Sequence, residues 1–291
     1  MNSPAGAKLS CATCVLRHKG VCDAVADQDD LALEAAHARV RVFDAGDVIY
    51  AQGDPPAHVF NLVSGWVALH RDMADGRRQI LRFLLPGAMF GIAAGELPLR
   101  HGATCVTNAS VCPIPTRNFA ELRAQAPSLN ERYIWLLQRE NDHAAESLTT
   151  MGQGNAKERI GRVLGELCAL SAGGAAIEAG AVFRIPLTQH HIAEATGLTA
   201  IHVNRVLRQL REDLILEFLY GVVTVINPAR LGALSGVGAD WGRPTGQGTA
   251  GCRRLVLASS TWSRRGSFPD AAALGDRTTV PGSRPAKANA R

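Results

Sequence analysis

The chain has 291 residues, 46% of them hydrophobic, enough for two modest domains and a tail. It has no apolar run of about 18 residues and no basic-then-apolar leader pattern, so neither a membrane span nor a secretory signal is expected, and a cytoplasmic location is. The net charge of +5 sits at one end: residues 236–291 hold nine Lys/Arg against three Asp/Glu, leaving 22 basic and 23 acidic residues in 1–235, so any affinity of the body for nucleic acid has to be local.

Residues 1–30 form a cysteine-bearing arm, followed by a short predicted helix near 29–37. Seven cysteines, an odd number in a chain expected to be cytoplasmic, argue against a disulfide framework. Cys11, Cys14 and Cys22 crowd into the arm. Thiolates bind soft metals and iron–sulfur clusters, and a [4Fe–4S] cube needs four of them. The fourth has to come from elsewhere. Cys105 and Cys112, in ATCVTNASVCPIP, are seven positions apart. On one uninterrupted strand they face opposite sides, so one of them can meet the arm, and spacing does not say which. A zinc site built from Cys11, Cys14, His18 and Cys22 fits the same arm, and so do a metal-free redox thiol pair and no site at all. By spacing alone, zinc and the cluster are level.

From 40 to about 115, short β-prone runs (VRVF, VIYAQ, VFNLV, VALHRDM, RRQILRFLL) alternate with Gly, Asp and Pro turns, the pattern of a small β-barrel or roll. Asp75-Gly76 is a hairpin turn. Over 127–151 the period becomes helical, with Leu129, Tyr133, Leu137, Glu140, Ala144, Leu148 and Met151 on one seam. Such a seam suits a dimerising coiled coil, although it could instead pack on the barrel. Glu140, near Asp142 and Glu146, adds like-charge repulsion between parallel copies and makes the expected dimer marginal. Gly152-Gln153-Gly154 breaks the helix, and Asn155 caps a new one over 155–170.

Residues 187–210, LTQHHIAEATGLTAIHVNRVLRQL, have the form of a helix-turn-helix. Thr188 and Thr199 can N-cap its two helices, and Gly197 supplies the positive φ of the turn. Val203, Val206, Leu207 and Leu210 form one buried face. Ile201, Asn204, Arg205 and Arg208 lie on the other, where Arg and Asn suit base edges and phosphates. His202, with His190 and His191, is surface or phosphate-facing rather than a metal ligand. A strand over 182–185 precedes the motif. A wing hairpin over 215–226, turning at Tyr220-Gly221, and a short terminal helix from NPARL follow it. Residues 236–291, rich in Gly, Pro, Ser and Arg, are expected to be disordered and are assigned no function.

These features in this order resemble the Crp/Fnr transcription regulators of the oxygen-sensing FNR type, over residues 11–235. The resemblance rests on the cysteine arm, the turns AGD and QGD, LVSGWV, DGRRQI, LPGAMFG, NAKER and the helix-turn-helix. It implies an α+β chain: a cyclic-nucleotide-binding-type β-roll (31–126), a long dimerisation helix (127–152) and a C-terminal winged helix-turn-helix (153–235). It also implies a [4Fe–4S] cluster on Cys11, Cys14, Cys22 and Cys112, the last by its place in SVCPIPTRNFAEL, and it moves the choice from zinc to iron–sulfur. The implied protein is a homodimeric regulator that binds double-stranded DNA, meets RNA polymerase, catalyses nothing and responds to oxygen by losing its cluster. Three features depart from patterns seen in the family. Gly95-Glu96 is followed by Arg100 without a serine, so a cyclic phosphate lacks its hydroxyl partner. Ile201 and Asn204 stand where many members carry Glu and Ser, which puts the usual half-site in doubt. REDLILEF also lacks the common glycine before the wing. A regulator gated by a ligand in the roll, or by zinc or thiol chemistry, is the alternative; an iron–sulfur electron-transfer protein is more remote, and no catalytic constellation supports it.

Overall fold

The computed structural model describes residues 11–17, 20–24, 39–93 and 95–236. The helix expected near 29–37, His18, Cys252 and the tail beyond Gly236 lie outside them. Eight short strands come first: β1 (Arg41–Phe43), β2 (Val48–Tyr50), β3 (His58–Ser64), β4 (Val67–Asp72), β5 (Arg78–Leu84), β6 (Met89–Phe90), β7 (Gly102–Cys105) and β8 (Ala109–Pro115). They pair antiparallel into two four-stranded sheets, β1-β8-β3-β6 and β2-β7-β4-β5. Tyr50, Phe60 and Phe90 stack with ring centroids 5.3–6.1 Å apart, and together with fully buried Leu62, Val67 and Val111 they fill the roll's interior. At the β4–β5 hairpin tip Met73 N–H donates to Arg77 O at 2.8 Å, closing the turn in which Gly76 takes φ +85°.

Cys105 and Cys112 do not share a strand. Residues 106–108 turn the chain between β7 and β8, which belong to different sheets. The alternation argument for opposite faces therefore rests on a strand that is not there, although the two side chains do end up in different places.

Helix α1 (Thr116–Gln125) leads into the long α2 (Pro127–Gln153), which Pro127 opens at the first turn. The apolar stripe of α2 divides between two tasks. Leu129 is 1% exposed, and Tyr133 is buried edge-on against Phe119 (5.5 Å) with the Arg123 guanidinium 4.0 Å from its ring centre. The Glu140 carboxylate pairs with Arg82 of β5, and that of Glu146 pairs with Arg162 (2.9 Å). Leu129 and Tyr133 thus pack within the subunit, and the Glu140 and Glu146 carboxylates find partners there too. Tyr133 and Glu140, expected on an intersubunit face, therefore already have partners within the subunit. Leu137 (38% exposed), Ala144 and Leu148 (74% exposed) remain open, while Met151 is half-buried beside Gly197.

Gly154 ends α2 where any side chain meets the Thr150 carbonyl. Asn155 then starts α3 (Ala156–Ala172) with a capping box: its side chain accepts from Lys157 N (2.9 Å) and Glu158 N (3.1 Å), and Glu158 accepts from Asn155 N (2.8 Å). Strand β9 (Val182–Arg184), α4 (Gln189–Thr196), α5 (Ala200–Glu212), β10 (Leu216–Leu219), β11 (Val222–Val225) and α6 (Pro228–Ser235) complete the fold. The three strands pair in the order β10-β11-β9 as a wing. Where a glycine is missing before the wing, Leu214 adopts φ +54°, and Tyr220 does likewise at φ +50° in the wing turn. Ala68, Ile80 and Phe83 of the roll share one core with Ile160, Leu164, Ile192, Val203 and Leu210. Gln79 Nε2 adds a hydrogen bond to Ala195 O (3.1 Å), joining β5 to α4. Among the described residues no helix is long and apolar enough to cross a membrane.

Candidate metal centre and nucleic-acid interface

The arm is built from tight turns. A 3-10 turn spans Cys11–Thr13, Cys14 N–H donates to Cys11 O (3.2 Å), and a second 3-10 turn spans Cys22–Ala24. Leu16 and Val21, each 2% exposed, anchor it on the roll. Gly20 takes φ +62°, and a Cβ there collides with the Gly87 carbonyl, so glycine allows the two backbones to touch.

This docking places Cys11, Cys14, Cys22 and Cys112 around one small cavity of about 20 Å³, closed by Leu16, Val40, Val63 and Ile114. Leu16 N–H points at Cys14 Sγ (3.5 Å), and the Asn61 amide, from the position paired with Cys112 across β3 and β8, points at Cys22 Sγ (3.9 Å). Arg17 Nη1 donates to Cys22 O (2.8 Å). Burial pushes the Cys22 and Cys112 thiols up to about 12; the neighbouring cysteines add to this, and Arg17 pulls Cys22 partly back. These groups are thiols at neutral pH, and binding a metal there releases protons. Cys105 is elsewhere: 2% exposed between the sheets, it is raised to about 11 by burial and by Asp47.

The donor set, four sulfurs with apolar walls and N–H groups aimed at two of them, fits a soft, thiolate-bound metal group. Among the described residues, no three His, Cys, Asp or Glu side chains already converge as ligands of one ion. The cavity has room for about one water molecule, so space for a cluster has to come from the short turns of the arm rather than from the paired strands.

Composition and spacing do not reveal the tie between arm and long helix. Arg132 Nε donates to Gly20 O (3.1 Å), and Ser128 Oγ donates to Ala24 O (2.8 Å). Both bonds span more than a hundred residues, and no local pattern signals them. Asn61 does leave a trace, as the one polar residue in VFNLV.

The second site is the helix-turn-helix. Thr188 Oγ1 accepts from His191 N (3.2 Å), and His191 Nδ1 accepts from Thr188 N (3.2 Å). Gly197 takes φ +66° in the turn, and Thr199 Oγ1 accepts from His202 N (3.2 Å) to start α5. Val203, Val206, Leu207 and Leu210 are at most 6% exposed, and burying each contributes about 1.5–3 kcal/mol. The opposite face presents Ile201, Asn204, Arg205, Arg208 and Gln209 to solvent. Asn204 Nδ2 donates to Gln189 Oε1 (3.3 Å), and Arg208 lies 3.5 Å from Glu212. Half-buried His202 shares an open cleft with Arg205 and Lys157 beside the start of α3.

The Cyclic nucleotide-binding domain family model matches residues 40–126, and the Crp-like helix-turn-helix domain model matches residues 158–234. The transcriptional activator protein FnrL of Cereibacter sphaeroides is 30% identical over 238 residues, covering 80% of this chain and 95% of that protein. The nitrogen fixation regulation protein FixK of Bradyrhizobium diazoefficiens is 27% identical over 231 residues, covering 77% and 93%. The solved structure of FixK2 from Bradyrhizobium japonicum superposes with a TM-score of 0.61 at 24% identity, covering 69% of this chain and 98% of that one, a likeness of fold. With a β-roll, a long helix and a DNA-binding winged helix-turn-helix in this order, the chain belongs to the Crp/Fnr family of transcription regulators.

Proposed function

We propose that this regulator activates transcription in response to oxygen or redox state through a [4Fe–4S] cluster held by Cys11, Cys14, Cys22 and Cys112. The observation that carries this reading is the meeting of all four thiols at one cavity. A bound cluster supplies an oxygen-labile bond between the arm and β8. The protein's own residues do the rest. Gly20 and Ala24 carry the arm's position to Arg132 and Ser128 on α2, and α2 runs unbroken to its end at Gly154, ahead of the DNA-binding domain. A docked arm biases α2 toward the form that pairs with a second copy, and the paired copies present two α5 helices to half-sites about one helical turn apart. RNA polymerase is the expected partner at the promoter.

The test is anaerobic purification. The expected protein is brown, contains iron and sulfide, and loses both colour and DNA affinity in air. A colourless protein holding one zinc overturns the reading. Arg132→Ala is expected to keep its iron while losing roughly tenfold of the anaerobic gain in DNA affinity, because one charge-assisted hydrogen bond between arm and helix is removed; iron content and gel-shift titrations separate the two effects. Arg205→Ala is expected to cost about 1–3 kcal/mol of DNA binding at one base position, and a uniform loss over all sequences identifies a phosphate contact instead.

One observation favours a second reading, control by a small molecule. A 570 Å³ cavity between β5, α2 and α3 contains Arg82 Nε and Glu166 Oε1, 3.9 Å apart and each without a hydrogen bond. That reading predicts colourless protein whose DNA binding ignores air and needs an added ligand. A cyclic nucleotide is a poor fit to the roll, where Arg100 is exposed and His101 is taken by the Tyr50 hydroxyl (2.9 Å).

A further inference from the structure

We propose that Ile201 reads the C5-methyl group of a thymine in the major groove and so sets base preference at one position of each half-site. The inference rests on α5 being the base-reading helix. Ile201 is 85% exposed, second only to Tyr220 among the large apolar side chains described. It stands in the first turn of a 13-residue helix whose other face is wholly buried, so core packing does not account for it. The first turn of a recognition helix is the part that meets base edges.

Chemistry narrows what such a side chain can recognise. In the major groove thymine alone carries a methyl group, while adenine, guanine and cytosine are distinguished by their hydrogen-bonding groups. An all-carbon side chain pressed on a cytosine amine strips its water and returns no partner, whereas against a methyl group it buries apolar surface. Ile201 therefore selects thymine both by attraction and by penalty against the alternatives. The neighbouring groups on this face are complementary. Asn204 is held by its bond to Gln189, and Arg205 has no ion pair among the described residues, which leaves it free for a phosphate or a guanine edge.

The test uses the full chain under anaerobic conditions. Binding sites are selected from random-sequence duplex DNA, and each thymine of the selected site is then replaced by deoxyuridine, which removes only the methyl group. The expected result is one symmetry-related pair of thymines at which the swap weakens binding roughly fourfold per half-site. Ile201→Ala is expected to abolish that sensitivity, and Ile201→Glu to move the preferred base there to cytosine, whose amine a carboxylate accepts. Wild-type protein indifferent to every methyl group, or an Ile201→Ala variant as sensitive as wild type, overturns the inference and leaves DNA reading intact. Failure to enrich any sequence overturns both.

Discussion

Anaerobically purified Cys112→Ser is expected to contain almost no iron and to bind DNA identically before and after air, whereas Cys105→Ala keeps both the iron and the response. Cys112 lines the cavity that the three arm cysteines enter. Changing residues that only support a metal ligand weakens metal binding by about 10–100-fold, so loss of one of four thiolates exceeds that range. Cys105 lies in the apolar interior and is not among the residues that line that cavity. Trimming it to alanine removes one buried sulfur and costs about 1 kcal/mol of packing, too little to unfold a domain. The two variants therefore separate a ligand from a core residue by iron and sulfide content, with melting temperature as the control for folding. The reverse result, iron lost only at Cys105, removes the basis for the four-thiol site.

The parts of this chain governed by local chemistry are legible in the order of its residues. Thr188, Gly197 and Thr199 each act within four residues of themselves, so the two caps and the turn between them follow from residue type. The Tyr220-Gly221 wing turn and the Asn155 cap are of the same kind. What the sequence hides is long-range. Helical periodicity says that Tyr133 and Glu140 lie on an apolar face, but not that Phe119 and Arg82 are the groups waiting there. No local signal marks Leu214 for a left-handed backbone; the turn into the wing imposes it. By spacing alone Cys105 and Cys112 look equivalent, because the three-residue turn between them carries no glycine or proline. Their separation in space follows from β7 and β8 entering separate sheets.

The same distinction narrows where a second copy is expected to attach. With Leu129 and Tyr133 buried inside the subunit, the apolar positions that α2 leaves open are Ile134 (57% exposed), Leu137 and Leu148, with small Ala144 and Ala145 between them. Ile134, Leu137, Asn141, Ala144 and Leu148 recur at alternating spacings of three and four, the spacing expected of a two-stranded coiled-coil seam, with Asn141 as its polar position. Trp135, beside this seam, lies between the guanidinium groups of Arg132 and Arg139, each 4.9 Å from its ring centre, and so is already engaged. A twofold axis doubles the effect of any change on the seam. Ile134→Glu removes two buried isoleucines, about 1.5–3 kcal/mol each, before the repulsion between the two carboxylates is counted. The expected result is a dimer at least a hundredfold weaker, seen as a monomer in anaerobic sedimentation velocity, with the iron content unchanged because the cysteine cavity is untouched. An Ile134→Glu protein that still sediments as a dimer places the contact on another face of the molecule.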